Sequence, residues 1–192
     1  MAENPYQSPS TEDQSAHSPS LPRGVSRRSV FWLLAIGVIA GVAIGAATNA
    51  VNGLVCPQYF SIVMGWKLPG WRRIVEQGII EGAATGLIFA IVLLAVVGLR
   101  TGGRARLTDA LPYFWATCSA VLALWALGGM MGCGWATLDG ASYRAAFPIA
   151  PAAGTPAFGW VGGSIWGAQL GGAAATVVVS TVFWLRWRAH AS

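Results

Sequence analysis

The sequence predicts an all-α polytopic membrane protein, with four transmembrane helices arranged as two hairpins behind a disordered N-terminal tail. Three observations carry this. Of the 192 residues, 55% are hydrophobic and only 10% are charged, at a mean hydropathy of +0.56. Four apolar segments, at about 30–51, 78–99, 111–132 and 160–185, are each long enough to cross a hydrocarbon core of about 30 Å at about 1.5 Å per residue. The basic residues flank these segments in an alternating pattern. Helix is the form expected of each span, because it satisfies its own backbone where lipid offers no partner.

The tail, residues 1–29, is Ser, Pro, Gln, Asn and acidic residues with almost nothing to bury, and disorder is expected there. Its opening, NPYQSP (Asn4 to Pro9), resembles the start of a set of uncharacterised small multi-pass bacterial membrane proteins that begin NPYxxP. The resemblance covers those residues and the four-span layout. It implies a bacterial cytoplasmic (inner) membrane and carries over no activity and no site residues. The stretch SRRSVFWLL before the first span departs in spacing from a twin-arginine signal. The apolar run after it is also longer than a cleavable signal's, so a retained signal-anchor is expected.

Counting Lys and Arg by loop orients the chain. Arg23, Arg27 and Arg28, then Arg100, Arg104 and Arg106, then Arg186 and Arg188 make eight on one side. Lys67, Arg72, Arg73 and Arg144 make four on the other. The positive-inside rule therefore predicts cytoplasmic termini. The net charge of +5 is spread over these flanks rather than clustered on one element, which argues against a nucleic-acid partner. Aromatic residues such as Phe31, Trp32, Trp184, Trp66, Trp71 and Trp135 fall at the span ends, as interfacial belts do. Trp125 and Trp166 lie deeper and read as packing residues.

In the first outer loop, Pro57 is placed to begin a short interfacial helix that LPG at 68–70 ends. Arg72 and Glu76 are spaced to pair along the approach to the second span. Asp109 is expected to N-cap the third span, with Pro112 in its first turn. The segment 139–160, rich in Pro, Ala and Gly, fits either the headgroup region or a re-entrant dip.

Glycine recurs every fourth residue in three spans: Gly37, Gly41 and Gly45; Gly78, Gly82 and Gly86; Gly163, Gly167 and Gly171. Such a face lets another backbone approach closely, within the chain or in a homo-oligomer. The polar residues inside the spans are few. Thr48, Asn49 and Asn52 continue the glycine face of the first span, Glu81 flanks that of the second beside Thr85, and Gln169 lies opposite the glycines of the fourth. An intramembrane carboxylate often marks an ion or proton pathway. The competing reading is structural: at its shallow depth Glu81 meets water or bonds to Asn49 or Asn52, and Gln169 bonds across the bundle. The shallow depth favours the structural reading.

Enzyme chemistry has no support here. His17 and His190 lie in the tails, the serine of GGSIWG has no intramembrane His or Lys to activate it, and no phosphate-binding glycine loop follows a strand. No cofactor and no metal are expected. Cys118 reads as a small apolar packing residue. Cys56 and Cys133 both fall near outer ends, where an oxidising compartment permits a bridge if their Cα atoms lie within about 7 Å. The expected function is therefore a non-enzymatic, glycine-packed membrane bundle. The alternative is a small channel or transporter of unspecified substrate using the Glu81 region. A water-accessible cavity reaching Glu81 is what separates the two.

Overall fold

A computed structural model of the chain describes residues 27–67, 70–102 and 105–189. Most of the expected disordered tail, with its NPYQSP motif, lies outside the described residues, as do His190 and Arg104. The described residues form six helices: α1 (Arg27–Val55), α2 (Pro57–Met64), α3 (Trp71–Thr101), α4 (Leu107–Leu138), α5 (Gly140–Ala146) and α6 (Thr155–Ala189). The four long ones are apolar enough to span a membrane. At 29 to 35 residues they reach about 44–52 Å at about 1.5 Å per residue, so each outruns the apolar segment that identified it.

Two antiparallel pairs dominate the packing: α1 with α3, and α4 with α6. Glycine explains the first pair. A Cβ added to Gly41 would run into the carbonyl oxygen of Gly82, and one on Gly82 into that of Gly41. Gly45 and Gly78 are related in the same way, and Gly37 lies against the Gly86 carbonyl. The second hairpin repeats the device with Gly128 against Gly163, Gly132 against Gly159, and Gly167 on the Leu124 carbonyl. Gly171 receives the Leu124 side chain. Even the flanking contact recurs, with Asn49 Cβ over Gly78 and Ala136 Cβ over Gly159. Each hairpin is thus long helix, short helix, long helix, locked along its own glycine seam.

Between the hairpins the packing concentrates at the two ends. At the end carrying α2 and α5, Tyr59, Phe60, Ile74, Tyr143, Phe158 and Val161 form one buried cluster. At the opposite end Leu33, Leu93, Val97, Ala110, Phe114 and Phe183 form another. Arg100 reinforces that second end, its guanidinium 4.9 Å from the Trp184 ring and its Nε donating to the Trp184 carbonyl at 3.3 Å.

The connections follow local chemistry. Pro57 opens α2 as expected, but left-handed Gly65 (φ 65°) closes it before LPG is reached. The expected pair forms, Arg72 Nε to Glu76 Oε1 at 2.7 Å. Asp109 is not the N-cap of α4. Arg106 holds that position, and Asp109, three residues on, accepts its N–H at 2.8 Å, which puts Pro112 in the second turn. The 139–160 segment turns through α5, whose first turn is capped by Asp139 accepting from the Ser142 N–H at 2.9 Å. Tyr143 and Ala150 tuck it into the end cluster. Trp125 packs as expected, edge to face with Trp160 at 5.8 Å, whereas Trp166 points outward and is 56% exposed.

Candidate functional site

Between the two end clusters, where the hairpins part, lies a cavity of about 120 Å³ lined by all four long helices. Asn49 and Asn52 of α1, Glu81 of α3 and Gln169 of α6 all line it, so the structure brings the four sequence-predicted polar residues to one place. Thr48, Thr85 and Thr117 join them, with Phe89, Cys118 and Trp125 as apolar or weakly polar wall. Glu81, Thr85 and Gln169 are exposed while lining the cavity, which sets its opening sideways between α3 and α6.

The hydrogen bonds differ from the expected ones. Glu81 does not bond to Asn49 or Asn52 among the described residues: its Oε1 accepts from Gln77 Nε2, one turn earlier on α3, at 2.7 Å. Asn49, 7% exposed, instead donates across the α1–α3 seam to the Ile74 carbonyl at 3.2 Å. The glycine seam brings the α3 backbone close enough for that bond, and it sets Asn49 at the level of Ile74, about 10 Å along α3 from Glu81. Gln169, expected to bond across the bundle, stands at the opening with no partner among the described residues. Asn52 pairs with Ser164 of the other hairpin, Oγ to Oδ1 at 3.1 Å, and both are essentially fully buried. Thr48 and Thr117 turn their hydroxyl protons back to the Ile44 and Tyr113 carbonyls, as helix hydroxyls do.

Of four buried polar atoms without a partner among the described residues, two belong to side chains that line the cavity. Among the described residues neither Asn52 Nδ2 nor the Trp125 indole N–H has a partner, and both side chains line the cavity. A buried polar atom left unpaired costs about 1–3 kcal/mol, so a cavity carrying two of them is built to be filled by water or by a ligand. Just above it, burial and then the negative charge of Glu81 raise the Tyr59 hydroxyl above its ordinary range. The carboxylate's field thus reaches the end cluster.

Cys56 and Cys133 are free thiols, not a disulfide. Cys56 is buried in the end cluster around Tyr59 and Phe60, while Cys133 is only half-buried and stands outside that cluster. Sequence reasoning missed Ser164 and Trp125 as site residues, and Gly128 and Gly132 as the partners of the fourth-span glycines. The GxxxG at 128–132 was a readable signal for the last two. Searches against family models, curated proteins and solved structures returned no match, so the site is read from its geometry.

Proposed function

We propose that this membrane protein takes a small solute into the cavity between its two hairpins, and that it acts as a small channel or transporter rather than as an enzyme. The observation that carries the reading is the convergence of Glu81, Asn49, Asn52 and Gln169 on one cavity that opens at Glu81. Two of the lining side chains, Asn52 and Trp125, also carry a buried polar atom with no partner among the described residues. Hairpins locked internally by glycine and joined mainly at their ends are also suited to shift as units about the space between them. Self-association, the role the glycine faces suggested, would need another surface, since those faces are occupied within each hairpin. The arginine distribution and the NPYQSP resemblance support a bacterial cytoplasmic membrane with both termini inside.

Cys118 is a native reporter, because it lines the cavity. In lipid nanodiscs a small neutral maleimide should label Cys118 in the folded protein, as read by peptide mass spectrometry. Thr85→Phe, which fills the opening from an exposed position, should slow that labelling at least tenfold. A Cys118 that is inert until the protein unfolds would refute the reading.

A further inference from the structure

The cavity also constrains what enters it, on the premise that it is a solute site. Of the residues lining it, one is a carboxylate and none is Lys, Arg or His. An anion would meet Glu81 at the opening with no compensating charge, so the site selects a neutral or cationic guest. Access decides further. Both ends of the bundle are closed by apolar clusters and the opening is lateral, between α3 and α6. Glu81 stands at shallow depth on that side, so a guest arriving there passes the interfacial region, which favours an amphipathic molecule over a hydrated inorganic ion. The volume, about 120 Å³, is somewhat below that of an engineered cavity of about 150 Å³ that accepts benzene. An apolar body of roughly one small ring or a short chain is what fits.

The Asn52–Ser164 pair says what the polar end should be. Ser164 has one proton, yet its Oγ lies 2.9 Å from the Val161 carbonyl and 3.1 Å from Asn52 Oδ1. It cannot donate to both. Turning the Asn52 amide over, which leaves its shape unchanged, resolves this. Nδ2 then donates to Ser164 Oγ, and Ser164 donates to Val161. The amide atom left without a partner becomes Oδ1, an acceptor on a residue only 1% exposed that lines the cavity. Glu81 is an acceptor too, with only Oε1 engaged by Gln77 among the described residues. The charged acceptor, Glu81, calls for a cationic N–H donor.

We propose that the guest is a small amphipathic amine, bound as its ammonium ion by Glu81, with its apolar body against Trp125 and Phe89. The ammonium pairs with the carboxylate, and the aromatic wall favours both the apolar body and the charge.

The test uses the full-length protein in zwitterionic phosphatidylcholine nanodiscs, so that lipid charge does not concentrate cations. Protection of Cys118 from maleimide is measured with benzylamine, benzyl alcohol and benzoate at pH 7. Benzylamine should protect at a concentration at least tenfold lower than benzyl alcohol, and benzoate should not protect. Glu81→Gln should bring benzylamine to the level of the alcohol. Equal protection by alcohol or benzoate, or no protection by benzylamine at a Cys118 that does label, overturns the amine and leaves the cavity reading standing. An unchanged benzylamine response in folded Glu81→Gln overturns it as well. A Cys118 that never labels overturns both. The ligand series on the native chain needs no variant to fold.

Discussion

Asn52 and Ser164, 112 residues apart in the chain, meet at 3.1 Å inside the bundle and join one hairpin to the other through their side chains. Both are buried, so the pair is costly to break from one side only. Ser164→Ala strands the Asn52 amide and should destabilise the protein by about 1–3 kcal/mol. Asn52→Leu combined with Ser164→Ala removes both polar partners and should recover most of that loss. Reversible unfolding in mixed detergent would show it. A double variant worse than Ser164→Ala would mean that the pair is not what holds these groups.

The glycine seams make a sharper contrast within one helix. On α3, a Cβ at Gly82 meets the Gly41 carbonyl, whereas one at Gly98 meets nothing within 4 Å. Gly82→Ala must push two backbones apart and should cost at least about 1–3 kcal/mol, the usual penalty of overpacking. Gly98→Ala should be neutral or stabilising by up to about 1 kcal/mol, from helix propensity alone. Gly82→Leu should then damage folding far more than Glu81→Gln, whose side chain is exposed and bonds only to Gln77 among the described residues. Equal effects at Gly82 and Gly98 would remove the seam as the source of hairpin stability.

What the sequence made legible was local. Composition and apolar run length disclose the four spans, Pro57 the start of α2, and the four-residue spacing the Arg72–Glu76 pair, because each depends on neighbours within a turn or a lipid thickness. The helical wheel also placed Asn49 and Asn52 on the α1 seam and Glu81 beside the α3 seam. It could not say which face of one hairpin meets the other, since no periodicity links α1 to α6. Ser164, set among glycines, therefore read as an idle serine, and the orphaned Trp125 N–H as a packing ring. On α4 the lone GxxxG of Gly128 and Gly132 went unread beside three double copies. Its meaning lies in the partner, Gly159 and Gly163.

Alkaline pH should weaken the end cluster through Tyr59. Its hydroxyl is raised by burial first and by the charge of Glu81 second, and Tyr143 is raised by burial and then by Tyr59. The native state therefore keeps these protons to higher pH than the unfolded chain, which releases them near the ordinary tyrosine value of about 10. Between the unfolded and native values the native state binds more protons, so stability falls as pH rises from about 10 upward and is unaffected below it. Tyr59→Phe should flatten that fall. A stability profile above about pH 10 with the same slope in Tyr59→Phe would show that Tyr59 is not its source.

Thiol reactivity should separate three environments without any reductant. Cys133, half-buried near the end of α4, should label in the folded protein. Cys56, buried with Phe60 and Tyr59, should label only on unfolding. Cys118 should follow access to the cavity. A requirement for reductant before Cys133 labels would restore the bridge that the structure lacks.

Orientation rests on charge. The side assigned to the termini holds eight Lys or Arg against four on the other. Retention of positive charge on the cytoplasmic side acts during insertion, and short loops near the span ends are where it counts. The connection from Gly102 to Arg106 is such a loop, with Arg100, Arg104 and Arg106 at or beside it. A fluorescent protein fused after Ser192 should therefore fold and fluoresce in the cytoplasm. Ala153→Cys, in the exposed turn between α5 and α6, should react with an impermeant maleimide added to intact cells. Replacing Arg100, Arg104 and Arg106 together by Gln should lower the fraction of correctly oriented molecules, read as mixed labelling of the Ala153→Cys thiol. Labelling at that position only after the cells are permeabilised would invert the topology and put the Glu81 end of the cavity on the cytoplasmic side.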